Sequence, residues 1–266
     1  MIIYKSSAEL EVMRQSGRIV AQILGELEPL VRPGIRTRDL DLYAEKRTRE
    51  LGAVPAFKGY RGYPASVCVS VNEEIIHGIP SGRILQEGDI VSLDFGVLFE
   101  SFYSDSALTV PVGRATEEAA RLIASARKAF FKGLEQVREG NRLSDVSAAV
   151  QRSVEGDGFS VIRQFVGHGI GRALHEEPQI PNFGAPGRGP KLKPGMTLAI
   201  EPMIALGGWE VEVLEDGWTA VTKDRTLSAH YEHTVALTED GPEILSALGP
   251  DSSGRPEALD KERPHA

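Results

Sequence analysis

Leu10, Met13, Gly17, Val20, Leu24, Leu27 and Val31 recur at alternating steps of three and four, the spacing of one face of an α-helix. Ser6 and Glu9 stand in capping-box relation ahead of this stripe, and Pro33-Gly34 supplies a stop behind it. A second helix is predicted from Thr37 to just before Gly52. A third starts near Thr116 on the stripe Ile123, Ala126, Phe130, Leu134 and Val137, and a fourth follows Ser144. Five β-rich runs lie around them, at 66–71, 90–99, 159–166, 197–204 and 233–238. Helix pairs thus alternate with groups of strands. Beyond Leu248 the segment GPDSSGRPEALDKERPHA is too polar and too rich in proline and glycine to pack, so a disordered tail is expected over 249–266.

The pattern V-R-x-G-x-R-x-x-D occurs twice, from Val31 to Asp39 and from Val137 to Asp145, at an offset of 106 residues. Each copy joins a helix end to a helix start, and each second helix reaches a glycine, Gly52 or Gly158. Helix-turn-helix segments resemble one another by chance, but two related halves facing each other is the preferred interpretation, because binding sites form where halves of a fold meet.

Composition narrows the function. A formal charge of -8 argues against a large phosphate-binding surface, so nucleic acid is not an expected substrate. One cysteine, Cys68, permits neither an intrachain disulfide nor a paired-cysteine zinc site, and fits a reducing compartment. The N-terminal stretch has no apolar core of signal-peptide length, and nowhere do roughly 18 apolar residues run together. Neither secretion by that route nor a membrane span is expected.

Candidate chemistry stands where it is least expected. Asp94 in IVSLDFGV, Asp105 in SFYSDSALTV, Glu201 in TLAIEPMI and Glu232 in AHYEHTVAL are acids in β-rich, apolar settings. Taken singly, each could face solvent on an alternating strand. Jointly they imply a counter-charge, because burying an unpaired carboxylate costs several kcal/mol. Arg and Lys are absent from Ile90 to Gly113 and from Met196 to Leu214, so a pair of metal ions is the natural compensation. His77, His168 and His175 lie in HGIP and GHGIGRALHEEP. Glycine on both sides of His168 would let backbone approach a ligand closely. A lone histidine such as His77 is more often a satisfied core residue.

Five stretches carry a family likeness: GYRGYPASVCVSVNEEIIHGIP, LDFGVLFESFYSDSALTV, GHGIGRALHEEP, KPGMTLAIEPM and DGWTAVTKDRTLSAHYEHTVALTEDG. In their order and spacing the chain resembles the type I methionine aminopeptidases of the short bacterial form, over nearly its whole length. The resemblance implies an α/β pita-bread fold, with one catalytic domain over 1–248. Its two pseudo-symmetric halves, about 1–110 and 111–248, would share a mainly antiparallel curved sheet covered by helix pairs. It also implies two divalent ions, drawn from Co, Mn, Fe, Ni and Zn, on Asp94, Asp105, His168, Glu201 and Glu232. Asp105 and Glu232 would bridge both ions, Asp94 would complete one site, and His168 with Glu201 the other. Ions about 3.5 to 4 Å apart hold a bridging water and lower its pKa towards neutrality. By the same likeness Glu201 is the proton shuttle, His175 stabilises the tetrahedral intermediate, and His77 contacts substrate beside the scissile amide.

Tyr60, Tyr63, Cys68, Leu174 and Trp218 fall on the positions of an apolar pocket for methionine, whose sulfur suits aromatic neighbours. Leu174 stands where phenylalanine is common, Phe57 where many members are smaller, and His230 where glutamine is frequent; Ser101-Phe102-Tyr103 also departs from the usual pattern. The implied activity removes N-terminal methionine from peptides and nascent proteins when the second residue is small. A cytoplasmic monomer is expected, with docking to the ribosome left open. Two alternatives are weaker. Prolidases and aminopeptidases P share the ligands, but carry an extra N-terminal domain and a longer interval between the two histidines that here are seven apart. Non-catalytic pita-bread modules have lost ligands that are intact here.

Overall fold

A computed structural model describes residues 1–248, so the expected tail lies outside the described residues. The capping box forms: Ser6 Oγ accepts the Glu9 N–H at 3.3 Å and Glu9 Oε2 accepts the Ser6 N–H at 2.9 Å. Helix α1 spans Ser7–Leu27. It stops short of Val31 because Pro29 has no N–H to continue the ladder, and a 3-10 turn, Glu28–Leu30, replaces the last helical turn. Helix α2 spans Thr37–Glu50. There follow β1 (Val54–Pro55), β2 (Val67–Val71), β3 (Glu74–Ile76), β4 (Ile90–Phe99) and β5 (Phe102–Pro111). Helices α3 (Glu117–Leu134) and α4 (Leu143–Gly156) come next. The remaining strands are β6 (Ser160–Val161), β7 (Gly167–Gly169), β8 (Glu176–Ile180), β9 (Thr197–Ile200), β10 (Met203–Ala205), β11 (Val211–Val213), β12 (Ala220–Thr222), β13 (Ser228–His230), β14 (Glu232–Thr238) and β15 (Gly241–Ile244).

A nine-stranded sheet runs β1-β4-β5-β14-β9-β7-β8, with β2 also on β4 and β15 also on β14. Every pairing in it is antiparallel. Alternation along its strands sorts the side chains into two populations. Val91, Leu93, Phe95 and Val97 of β4 pack with Val20, Ile23, Leu27 and Leu40 of α1 and α2. Leu198 and Ile200 of β9, with Val235 and Leu237 of β14, pack with Phe130, Phe131, Leu134 and Val146 of α3 and α4. Each fully buried side chain of this kind contributes about 1.5 to 3 kcal/mol. The helices therefore cover one face of the sheet, and the intervening residues face the other way.

The two V-R-x-G motifs make the same turn. Gly34 and Gly140 have φ of 91° and 88°, and their N–H groups donate to the carbonyls of Leu85 and Leu192. Helices α2 and α4 then start at Thr37 and Leu143, and both are 14 residues long.

Three expected elements differ. The run 159–166 pairs only at Ser160–Val161, because the chain leaves the sheet after Ile162 and Phe165 and Val166 turn into a cavity. The run 197–204 is two strands in two sheets, β9 and β10, broken at Glu201-Pro202, where proline cannot donate to a ladder. Strand β5 lies outside the five predicted runs. Its Ser104, Asp105, Ser106 and Thr109 are buried, so polar residues there do not mark a solvent face.

The joint between α1 and α2 yields a measurable expectation. Arg47 donates from Nε and Nη2 to the two carboxylate oxygens of Glu26 at 2.7 and 3.0 Å, and Tyr43 and Gln22 also donate to Glu26. The Arg47 hydrogen bond, above all, holds the Glu26 carboxyl at about 2. Because the folded value is below the unfolded one, the stabilisation is present above about pH 4.5 and is lost as pH falls towards 2. Glu26→Gln should cost about 1 kcal/mol at pH 7 and roughly a quarter of that near pH 2.5, as read from urea unfolding at the two pH values.

Candidate functional site

Strand register brings the candidate ligands together. Asp94 of β4 and Glu232 of β14 both stand opposite Ala107 of β5, and Asp105 is two residues along from Ala107 on the same face. Glu232 shares its face with Thr234, which stands opposite Ala199 of β9, which in turn stands opposite His168 of β7. Glu201 lies two residues beyond Ala199. Thus five residues from five segments project from one face of one sheet, the face the helices leave free. Cys68 of β2, opposite Asp94, joins them.

The four carboxylates are 2 to 7% exposed and His168 is 7% exposed. Asp105, His168 and Glu232 offer ligand atoms within 4.8 Å of one another. Asp94 Oδ1, Asp105 Oδ1 and Glu232 Oε1 are buried with no hydrogen-bond partner among the described residues. Burial pushes all four carboxyls up. Asp105 reaches about 7 and the other three stand well above their ordinary values, raised further by the neighbouring carboxylates. His168 Nδ1 donates to the Gly169 carbonyl at 2.9 Å, which leaves the Nε2 lone pair directed at Glu201 Oε1, 3.4 Å away. Burial holds the His168 imidazole down at about 4, so it is neutral at pH 7. A lone pair and a cluster of carboxylates facing one another without a protein cation form a donor set suited to divalent metal.

The glycines beside His168 serve the sheet and not a ligand. A Cβ on Gly167 would lie 2.4 Å from the Ala199 carbonyl oxygen, and one on Gly169 would lie 2.2 Å from that of Glu177. Side chains at either place would push the strands apart.

A cavity of about 180 Å³ opens over the cluster, below the range of about 300–1,000 Å³ usual for drug-sized ligands. Its lining includes all five candidate ligands with Phe57, Tyr60, Arg61, Tyr63, Cys68, Ile76, His77, Phe165, Val166, Leu174, His175 and Trp218. Every residue assigned from the sequence to the metal site, to catalysis or to the pocket is therefore in one place. Tyr63 meets the Trp218 ring edge-on at 5.2 Å, and its hydroxyl donates to the Gly78 carbonyl at 2.9 Å. Burial pushes the Cys68 thiol up, so it presents apolar surface and not a thiolate.

His77 sits at φ 61° and meets Phe165 and Trp218 edge-on at 5.6 and 6.1 Å; burial holds it down at about 4. His175 stacks on Tyr60 and its Nδ1 lies 2.8 Å from the Tyr60 hydroxyl. With that hydroxyl donating to Nδ1, Nε2 carries the proton and is a donor. Although one edge of the His175 ring is exposed, desolvation first and then the His168, Arg61 and His77 charges keep it below the usual imidazole range. The turn that presents Leu174 and His175 is tied down by the buried ion pair Lys5–Glu176, and Glu176 Oε1 also accepts the Ala173 N–H at 3.2 Å.

Sequence reasoning missed Arg61, Ile76, Phe165 and Val166 as lining residues. Arg61 was visible inside GYRGYP, between the two pocket tyrosines. Phe165 and Val166 had no local signal, because the run containing them has strand composition.

The chain matches the model of metallopeptidase family M24 over residues 11–239. It is 53% identical over 248 residues to a methionine aminopeptidase of Clostridium perfringens, covering 93% of this chain and 100% of that one. Methionine aminopeptidase 1 of Bacillus subtilis is 50% identical, with 93% and 100% covered. Among solved structures, methionine aminopeptidase from Thermotoga maritima superposes with a TM-score of 0.92 at 47% identity, over 93% of this chain and 100% of that one. Prolidase from Pyrococcus furiosus, at 22% identity, matches with a TM-score of 0.76 over 93% of this chain and 66% of its own, a likeness of fold alone. The curved antiparallel sheet with helix pairs on one face is the pita-bread fold. Matched by the family model over most of its length and half identical to relatives covered end to end, the chain belongs to metallopeptidase family M24, among its methionine aminopeptidases.

Proposed function

We propose that the protein removes N-terminal methionine from peptides and nascent proteins whose second residue is small, using two divalent ions held by Asp94, Asp105, His168, Glu201 and Glu232. The observation that carries this is the set of buried carboxylates on one sheet face with orphaned oxygens and no counter-cation among the described residues. The ions, drawn from Co, Mn, Fe, Ni or Zn, would supply Lewis acidity and would lower the pKa of water towards about 7 when bound. Glu201 takes the proton of the attacking water on a carboxylate oxygen and passes it to the departing amine. His175, donating from Nε2, stabilises the oxygen that gains charge, and His77 meets the peptide beside the scissile bond. Tyr60, Tyr63, Cys68, Leu174 and Trp218 enclose the first side chain.

Residues 1–248 would form one catalytic domain of two related halves, about 1–110 and 111–248; the matching turns and equal lengths of α2 and α4 support this. A monomer acting in the cytosol is part of the same proposal, and one buried, unpaired cysteine suits a reducing compartment.

Metal removal tests the site directly. In chelated protein the raised carboxyls hold protons that the unfolded chain has released, so stability is lost as pH rises through about 7. The buried imidazoles act in the opposite sense only below about pH 6.5. An ion at roughly a hundredfold over its Kd should raise Tm by about 5 to 10 °C, and by more at pH 8 than at pH 6. A Tm indifferent to every divalent transition ion would rule out the site.

Glu201→Gln should abolish most turnover while leaving far-UV circular dichroism unchanged, and His175→Ala should lower kcat by roughly 10² to 10³. A Glu201→Gln protein retaining most of its kcat at saturating metal would place the proton shuttle elsewhere.

Substrate choice is read by mass spectrometry of cleaved peptides. Met-Gly, Met-Ala and Met-Ser peptides should be cut, while Met-Leu, Met-Lys, N-formyl-Met and Ala-Pro peptides resist. Leu174 and Phe57 should alter selectivity among Met, norleucine, Leu and Phe by about 1 to 3 kcal/mol in kcat/KM. Equal cleavage of Leu-Ala and Met-Ala would disprove the pocket, and preferential cleavage of Ala-Pro would favour a proline-directed peptidase.

A further inference from the structure

We propose that Arg61 is a binding site for a carboxylate carried by the peptide beyond the scissile bond, an inference that rests on the aminopeptidase activity proposed above. Of the residues lining the cavity, only Arg61 and His175 are exposed, whereas the candidate ligands are buried. The mouth is therefore on the Arg61 side and the acids form the floor. Among the described residues Arg61 is also the one Lys or Arg of the lining. A peptide entering amine first sends its ammonium group towards the carboxylates. Its later residues, advancing about 3.3 Å each when extended, must leave past Arg61.

The side chain is presented by a fixed turn. Arg61 has φ 49° and ψ 22°, left-handed backbone that residues with a Cβ adopt only at a cost and that clusters at ligand clamps. The turn is closed by the Tyr60 N–H on the Phe57 carbonyl at 2.9 Å, the Tyr63 N–H on the Tyr60 carbonyl at 2.9 Å and the Gly59 N–H on the Tyr63 carbonyl at 2.8 Å. The guanidinium has no carboxylate within 4.0 Å and no hydrogen-bond acceptor among the described residues; its Cζ lies 5.4 Å from the Tyr60 ring centroid. By contrast Arg47 and Arg14 each grip both oxygens of a glutamate. A planar cation with its donors unspent, above the exit of the cavity, matches the geometry of a carboxylate. Acidic floor and basic rim together orient a peptide along the axis that the reaction needs.

The carboxylate has two sources: an Asp or Glu side chain, or the C-terminus of a short peptide. Four peptides separate them, each cleaved by the Mn-reconstituted full chain: Met-Ala-Asp amide against Met-Ala-Asn amide, and Met-Ala-Ser free acid against Met-Ala-Ser amide. In at least one pair the carboxylate-bearing member should have the higher kcat/KM, by roughly two- to fivefold, the size of a solvent-exposed ion pair. The gain should fall in KM and shrink at about 0.5 M salt. A preference in the first pair alone assigns side chains, and in the second alone assigns termini. Arg61→Gln, and Arg61→Gly, which also relaxes the backbone, should bring the ratio to about one, whereas Arg61→Lys should keep part of it. Ratios of one in the parent protein, or ratios unchanged in Arg61→Gln, overturn the inference while the aminopeptidase activity stands. No cleavage of Met-Ala-Ser amide at all would overturn that activity, and this inference with it.

Discussion

Four carboxylates and an imidazole project from one face of one sheet into a space that, among the described residues, has no Lys or Arg except at its rim. An arrangement of this kind is costly, because each ionised group loses its hydration and repels its neighbours. The rest of the molecule accommodates that cost. The sheet is pinned from behind by two helix pairs, so the apolar alternation of β4, β9 and β14 gains burial on the face where the acids are not. The polar partners that β5 needs come from within the sheet. Ser106 Oγ donates to the Glu232 carbonyl and Thr234 Oγ1 to that of Asp105, while Thr109 and Ser92 hydroxyls bond each other. Backbone around the acids is thereby satisfied, while Asp94 Oδ1, Asp105 Oδ1 and Glu232 Oε1, on three of the candidate ligands, are left without partners among the described residues.

Placing the ligands on strands also explains why the site can be rigid without a loop to close it. Each is fixed by ladder bonds on at least one side, or, for Glu201, by the strand that ends at Ile200 and by Asn182 Nδ2, which donates to the Glu201 carbonyl at 2.9 Å. Preorganised groups need little rearrangement as charge develops. The wall around the mouth comes instead from segments between strands: the turn bearing Tyr60 and Arg61, the turn bearing Leu174 and His175, and the segment bearing Phe165. The first two meet through the Tyr60–His175 hydrogen bond, so the wall of the pocket also orients the ring of a catalytic candidate. Lys5, buried against Glu176, ties the start of the chain to the same wall.

Much of this was legible in the residues. The capping box and helical stripe located α1, the Thr37 start and Gly52 stop bracketed α2, and the ends of β4 fell at Ile90 and Phe99 as the apolar run predicts. These are local features, in which spacing within one segment decides the outcome. The acids stood out for the same reason, as charges inside apolar runs, and the motifs around them sufficed for the family. What the sequence could not decide was non-local. That Asp94, Asp105, His168, Glu201 and Glu232 share a face follows from the register between strands far apart in the chain, and a slip of one residue in any pairing would turn a ligand away. The residues of strand β5 read as a β-rich setting for Asp105, but its bounds were not legible, because both its faces are buried, which erases the polar and apolar alternation that marks a strand. Phe165 and Arg61 reached the cavity only through the path of the backbone after Ile162 and the left-handed turn after Tyr60. Composition sets which groups are available; tertiary pairing sets which of them meet, because only the folded sheet fixes their directions in space.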